Sequence, residues 1–330
     1  MTPRTETMMA MIEDLWRTAI VEVSRKPIEP NGFRLTRIHP ESRFDIYAGV
    51  DESAFVLLAV GIHATPPSIA TDSASLDYFR QQRLDGSWLM VLRLRKRGLE
   101  AVFGRLCQDL MDASENVPNE NTLVSLFKER LNLWKKLFQD GGDGFLRPHE
   151  IKGLIAELLV LETLVHGGMR DVNETVTGWT GPLATDQDFV FSDCALEVKA
   201  IGPGAENVSI SSLEQLDCRL PMHLIIVTLR QAAPSDPAAI GLNNLIARIE
   251  GSIAGNADTL KIFKERLLEA SYFEHEYYDS ILFEPLSMLR YQITDEFPKL
   301  TPEMVPPGIS SATYAISICS ISNFEDGSLA

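Results

Sequence analysis

The stretch TDQDFVFSDCALEVKA, residues 185–200, carries two carboxylates and an ammonium that one pair of strands could bring together. Asp188 begins the apolar run DFVF, a polar turn is expected at 192–194, and Glu197 and Lys199 follow two positions apart. Side chains two positions apart on a strand project from the same face, about 6.6 Å from each other along it. A hairpin would therefore fold Asp188 back toward Glu197, with Lys199 beside both.

These residue types suit hydrolysis of a phosphodiester. Hard divalent cations such as Mg²⁺ or Mn²⁺ take oxygen ligands, commonly one or two carboxylates completed by water. Asp188, Glu197 and the backbone carbonyl of Val198 could hold such an ion, which polarises the phosphodiester and lowers the pKa of bound water. The Lys199 ammonium could orient or deprotonate that water, or offset charge on the phosphorane. The spacing alone is equally compatible with a solvated hairpin face.

A third carboxylate interrupts an apolar run upstream. Glu157 lies within GLIAELLVL, flanked at helical spacing by Leu154 and Leu161. Because an unpaired buried carboxylate is costly, a metal or another cation is its usual remedy, and Glu157 is a further candidate ligand. The alternative is that Glu157 lies at the solvent-exposed border of the helix's apolar face. Asp186 competes with Asp188 for the aspartate position, since strand register is not fixed by sequence.

A helix and several strands are expected around these side chains. Pro148 followed by an apolar run predicts a helix that the Gly-Gly pair at 167–168 ends. After the hairpin, the segment 208–217 is interpreted as the start of a helix, and HLIIVTL at 223–229 predicts a core strand. The order helix, strand, strand, helix, strand across 147–230 indicates an α/β core.

The rest of the chain is expected to flank this core. Residues 7–25 and 98–113 are typical of helices, and strand-like runs lie at 33–39, 43–50, 54–62 and 87–95. They predict an N-terminal α/β domain with an antiparallel sheet. Pro-containing breaks at 115–121 and 231–239 then predict three domains: an N-terminal domain at 1–118, a core at 119–235, and a C-terminal extension of helices and strands at 236–330.

Composition limits the class of protein. Of 330 residues, 45% are hydrophobic and 23% charged, which is ordinary for a soluble globular protein. The four cysteines form no CxxC pair and the six histidines no HxxxH or HxH spacing, so neither zinc nor a disulfide framework is indicated. Without a secretory segment or a run long enough to span a bilayer, we expect a cytoplasmic protein with no membrane partner.

Charge argues against bulk attraction to nucleic acid. The net charge is −16, and most of the acidic excess falls in residues 151–330. The segment 78–106 is locally basic, however, and Arg93, Arg95 and Arg97 are candidate contacts to nucleic-acid phosphates. The alternative for this basic strip is an ordinary solvated surface.

The order of the ELLVLE helix, the QDFVF and LEVK strands, the SISSLEQLD segment and the LIIVTL strand resembles the PD-(D/E)XK nuclease superfamily. More narrowly, the chain resembles the bacterial PD-(D/E)XK motif proteins known mainly from restriction and phage-defence loci. The resemblance implies a restriction-endonuclease-like core, with a mixed sheet flanked by helices. It also implies a Mg²⁺-dependent endodeoxyribonuclease with DNA as substrate, and protein partners of a restriction or defence system. The sequence leaves the oligomeric state open.

The resemblance also assigns roles to individual residues. It implies two metal carboxylates, a catalytic lysine, an acid on the helix, and a polar residue beside the site: Asp188 and Glu197, Lys199, Glu157, and Gln215. Gln187 stands where the motif's name has Pro, a position that varies widely in the superfamily.

Two other functions compete with this reading. A non-catalytic subunit could use the same fold to bind a partner or dock on DNA, and the acidic excess of residues 151–330 favours it. A glycosidase with paired carboxylates would leave Lys199 unexplained and would need a sugar cleft that the sequence does not indicate.

Overall fold

The computed structural model of the chain describes residues 3–38, 42–71, 74–115, 117–134, 138 and 144–328. The chain divides into two compact units, residues 1–145 and 146–330. The three domains predicted from sequence, with boundaries at 118 and 235, do not coincide with this division.

The first unit contains a five-stranded antiparallel sheet, as the strand pattern predicts. The strands are β1 (Phe33–Arg37), β2 (Asp45–Asp51), β3 (Val56–Ile62), β4 (Leu76–Gln82) and β5 (Trp88–Leu94), in the order β1-β2-β3-β5-β4. The helices are α1 (Pro3–Arg25), α2 (Glu100–Ser114) and α3 (Glu120–Trp134). The central strand β3 is apolar and almost wholly buried, whereas the edge strand β4 is polar and half-exposed. That polarity is why the sequence did not predict β4.

The second unit contains a mixed sheet with helices around it. Its helices are α4 (Pro148–Gly167), α5 (Val172–Gly178), α6 (Leu242–Ile253) and α7 (Ala257–Glu269). Its strands are β6 (Phe189–Val190), β7 (Ala195–Ile201), β8 (Asn207–Ile210), β9 (Met222–Gln231), β10 (Ile240–Gly241), β11 (Leu282–Ile293), β12 (Tyr314–Ser317) and β13 (Glu325–Ser328).

The sheet has the order β10-β11-β9-β7-β6, and β13 extends it by pairing with β11. Strands β7 and β9 are parallel, while the other neighbours are antiparallel. Strands β8 and β12 form a separate antiparallel pair. Their residues Val208, Ile210 and Ile316 share one buried apolar cluster with Ala195 of β7 and Leu224 of β9.

The helix α4 carries Glu157 and has clear end signals. Pro148 occupies its first turn, where its missing N–H costs no hydrogen bond, and the backbone N–H of Arg147 donates to Glu150 Oε2 at 2.7 Å. Gly168 ends the helix with a φ of 63°, a left-handed conformation that glycine adopts without a steric penalty. Both ends agree with the sequence prediction.

Several predictions for the surrounding elements were wrong. The helix expected at 208–217 is the strand β8 followed by bends and turns at 211–219. The helix α5 was not predicted. The helix α3, assigned from sequence to the core, packs on α2 in the first unit. The strand β11, assigned to a C-terminal extension, pairs along its length with β9 in the sheet of the core.

Candidate active site

The predicted hairpin forms and brings Asp188 opposite Glu197. Phe189 of β6 pairs with Leu196 of β7 in antiparallel register, and the same register continued by one residue would set Asp188 against Glu197. The backbone N–H of Val198 donates to Asp188 Oδ2 at 2.8 Å, which fixes this carboxylate against β7. Asp186, the competing aspartate, is exposed on the preceding loop. The structure therefore selects Asp188 for the cluster.

The direction of the Val198 N–H also tells where its carbonyl faces. In an extended strand the N–H and C=O of one residue point toward the same neighbour. Since the Val198 N–H reaches Asp188, its carbonyl oxygen faces the Asp188 edge of β7 as well. A role for this carbonyl as a backbone metal ligand stays a prediction.

Glu197 and Lys199 form an ion pair on one face of β7. The Glu197 side chain is 1% exposed, and Lys199 Nζ lies 2.7 Å from its Oε1. The contact is an ion pair rather than a well-directed hydrogen bond, because both Glu197 oxygens are buried without a hydrogen-bond partner among the described residues. Lys199 Nζ also donates to Gln215 Oε1 at 3.1 Å, and that oxygen accepts the Ser211 backbone N–H at 2.8 Å. Gln215 therefore lies beside the lysine.

Glu157 accepts a hydrogen bond from a tryptophan. The indole Nε1–H of Trp179 donates to Glu157 Oε2 at 2.8 Å. A Cβ atom built at Gly181 would lie 2.7 Å from this same oxygen and 2.9 Å from Asp188 Oδ1. Glu157 and Asp188 are thus close neighbours across a space that only glycine leaves open.

The segment 179–181 also fastens the backbone of Asp188. The N–H groups of Thr180 and Gly181 both donate to the Asp188 carbonyl oxygen, at 2.8 Å and 2.9 Å. Trp179 and Phe189 form an isolated antiparallel bridge. Sequence reasoning missed this segment, because a Trp between glycines carries no signal of which side chains it will meet.

Burial raises the pKa values of all three acids, and repulsion from neighbouring carboxylates adds to the shift of Glu157 and Glu197. Burial raises the pKa of Glu157 well above its usual range, and Asp188 and then Glu197 add repulsion, which the Trp179 N–H and Lys199 partly offset.

The other two acids are shifted in the same direction. Burial raises the pKa of Asp188, against the Val198 N–H and Lys199, which lower it. Burial and the Asp188 charge raise the pKa of Glu197 to about 8, partly offset by Lys199. Three acids therefore share one lysine, and burial favours their protonated forms in the folded protein.

A comparison with protein families bears on this cluster. A family model described as "Putative PD-(D/E)XK family member, (DUF4420)" matches residues 12–319. The chain belongs to the DUF4420 family of the PD-(D/E)XK group. The mixed α/β fold agrees with that membership. No curated protein and no solved structure matches the chain.

PD-(D/E)XK nucleases typically use divalent metals, and the DUF4420 cluster has suitable donors. In the described part of the chain, no three His, Cys, Asp or Glu side chains already stand in ligand geometry around one point. The donor chemistry nevertheless fits a hard cation. Both Glu197 oxygens are buried without a hydrogen bond, and Asp188 Oδ1 and Glu157 Oε1 accept none among the described residues.

The basic strip of this DUF4420 chain is partly committed to its own unit. Arg93 donates to Asp51 Oδ2 and to Asp77 Oδ2, each at 2.9 Å. Arg95 lies 3.3 Å from the same Asp77 oxygen, and the Arg97 guanidinium lies over the Phe55 ring at 5.9 Å from its centroid. Phosphate contact by these arginines stays a prediction, and Arg93 is the one whose charge is already paired twice.

Over the described ranges, every helix of the DUF4420 chain is too short or too polar to cross a bilayer.

Proposed function

We propose that this PD-(D/E)XK protein is a metal-dependent nuclease that hydrolyses phosphodiester bonds in DNA. The observation that carries the proposal is the gathering of Glu157, Asp188 and Glu197 next to Lys199. In each acid, one carboxylate oxygen contacts a neighbouring donor or cation. Each acid also keeps an oxygen that has no hydrogen bond among the described residues. Such a set is poorly balanced until it meets a cation.

The proposed roles follow from the contacts of each residue. Asp188, Glu197 and the Val198 carbonyl would hold Mg²⁺ or Mn²⁺, with Glu157 completing the carboxylate set. When bound, the ion supplies Lewis-acid polarisation of the phosphate and a more acidic water. Lys199, held between Glu197 and Gln215, would donate to a phosphate oxygen as negative charge develops there.

We further propose that the substrate is DNA and that the protein acts in a restriction or phage-defence system. Both proposals go beyond the family membership itself. The acidic excess of residues 151–330 means that this unit attracts bare DNA weakly. We therefore propose that arginines of the basic strip or partner proteins of the same system supply the attraction.

A non-catalytic subunit is the second candidate, and the same charge distribution favours it. In that case the Glu197–Lys199 pair would serve only the packing of β7, and the protein would dock on DNA or on a partner. The two candidates differ in whether Lys199 affects a rate.

Plasmid cleavage tests the proposal. Metal-free protein would be incubated with supercoiled plasmid in EDTA, Mg²⁺ or Mn²⁺, and nicked and linear products would be measured. We expect cleavage with either metal and none in EDTA. Lys199→Ala should lower the rate at least about a hundredfold, the scale of a lost donor to developing negative charge, while retaining Mn²⁺ binding.

Lys261→Ala is the matched control, because Lys261 is exposed and lies 3.8 Å from Glu265 one turn along the same helix. It should cleave like the wild type. If the wild type binds Mn²⁺ and DNA but does not cleave the plasmid, either alone or with partner proteins, the non-catalytic function replaces the proposed one.

A further inference from the structure

The loop between α5 and β6 contacts two of the three acids through different atoms. Its residues 179–181 reach Glu157 through an indole and Asp188 through two backbone N–H groups. We propose that Trp179 and Gly181 are positioning residues that set Glu157 and Asp188 as joint ligands of a divalent cation. This inference rests on the proposed function and adds two residues that touch neither metal nor substrate.

Trp179 provides a rigid donor. Its side chain is completely buried, and its ring lies against Phe263 with centroids 5.9 Å apart. A ring held this way cannot follow a moving partner, so its N–H fixes Glu157 Oε2 in one place. The other oxygen, Oε1, has no hydrogen bond among the described residues. Groups that orient a metal ligand in this manner typically contribute tenfold to a hundredfold to metal affinity.

Gly181 provides space rather than a special backbone conformation. A Cβ atom there would lie 2.7 Å from Glu157 Oε2 and 2.9 Å from Asp188 Oδ1, closer than real Cβ contacts allow. The third close atom, Asp188 Cα at 3.4 Å, belongs to the main chain, and the carbonyl oxygen of the same residue accepts the Gly181 N–H. An added methyl group would therefore push the two carboxylates apart, because the main chain cannot retreat.

Two other glycines make matched controls for Gly181→Ala. At Gly178, three residues earlier, a Cβ atom would meet the Phe191 ring at 2.3 Å, which is a severe clash with no carboxylate involved. At Gly153 on α4, one turn before Glu157, a Cβ atom would meet nothing within 4 Å. Gly178→Ala thus reports loss of packing, and Gly153→Ala reports the bare effect of a methyl group.

Calorimetric titration of the metal-free proteins with Mn²⁺ is the first measurement. We expect Gly181→Ala to raise the Kd for Mn²⁺ at least tenfold. Gly153→Ala should match the wild type, and Gly178→Ala should lower the melting temperature while its folded fraction binds Mn²⁺ with nearly the wild-type Kd. Equal loss of affinity in Gly178→Ala and Gly181→Ala would overturn the proposal, since general loosening of the loop would then suffice.

A double-mutant cycle tests Trp179 independently. Trp179→Phe keeps a ring against Phe263 but removes the N–H donor, and should raise the Kd for Mn²⁺ about tenfold. In a Glu157→Gln background the same change should have almost no further effect, because Trp179 acts only through Glu157. Additive effects of the two substitutions would overturn a positioning role.

The outcome also separates this inference from the function on which it rests. A wild-type protein that binds no Mn²⁺ would defeat the metal-dependent nuclease and the positioning role together. A wild type that binds Mn²⁺, with Kd values unchanged in Trp179→Phe and Gly181→Ala, would overturn the positioning role alone.

Discussion

Glu197 should make the metal-free protein lose stability as the pH rises. Its pKa is raised from 4.5 to about 8 by burial and by Asp188, so the folded protein holds this proton more tightly than the unfolded chain does. The stability is therefore undiminished below pH 4.5, falls between about pH 4.5 and 8, and levels off above that. At about 1.4 kcal/mol for each pKa unit, the full loss is on the order of 3–5 kcal/mol.

Replacing the acid by its amide should remove that loss. Glu197→Gln keeps the shape of the side chain and cannot ionise, so the metal-free variant should be more stable than the wild type at pH 8. We expect a gain of about 2–3 kcal/mol, smaller than the full loss because the amide pairs less well with Lys199. Mn²⁺ should stabilise the wild type and leave Glu197→Gln almost unchanged, since a ligand stabilises only the state that binds it.

Urea unfolding in EDTA at intervals from pH 5 to 9 gives the required curves, with and without Mn²⁺ in parallel samples. Glu206→Gln is the control, because Glu206 is exposed on the loop after β7 and should follow the wild-type curve. The reasoning would be refuted if Glu197→Gln were less stable than the wild type at pH 8 and its free energy of unfolding fell with pH at the same slope. Ionisation of the buried Glu197 would then not be what costs stability.

Three further results are expected. Arg93→Ala should lower the free energy of unfolding by about 3 kcal/mol, because it removes the cation from Asp51, which is 1% exposed; a change below about 0.5 kcal/mol in urea unfolding would contradict this. Arg97→Ala should leave stability unchanged but lower by about 1 the slope of log DNA affinity against log salt; an unchanged slope would exclude phosphate contact. Gly168→Ala should cost about 1 kcal/mol through its positive φ, and an unchanged melting temperature would disprove it.

The sequence was most informative where a local rule acts. Alternation of side chains along β7 predicted that Glu197 and Lys199 share a face, and the polar turn before it predicted the hairpin. Asp188 was preferred to Asp186 from sequence, although the choice depends on strand register. The pairing of Phe189 with Leu196 and the Val198 N–H on Asp188 Oδ2 bring Asp188 to β7, and such a register is set by the fit of two whole strands.

Long-range contacts account for what the sequence did not predict. Trp179 looks like any core tryptophan until its N–H is found on Glu157, 22 residues earlier. The segment 208–217 has apolar spacing that a helix could use, yet its first three residues belong to β8 and pair with β12, a strand near residue 315. The Pro-containing breaks at 115–121 and 231–239 separate elements but not compact units. Helix α3 packs on α2 across the first break, and β11 pairs with β9 across the second.

The pairing of β8 with β12 has a consequence for how the protein is made. Thr313 Oγ1 donates to the Ser211 carbonyl oxygen, 102 residues apart in the chain, and the Ser211 N–H holds Gln215 beside Lys199. During synthesis, the three acids therefore leave the ribosome long before the strand that buttresses Gln215. A growing chain therefore carries the three acids before β12 can pair with β8 and support Gln215 beside Lys199. We expect the proposed cleavage to begin only after residues 314–317 have been translated and have paired with β8.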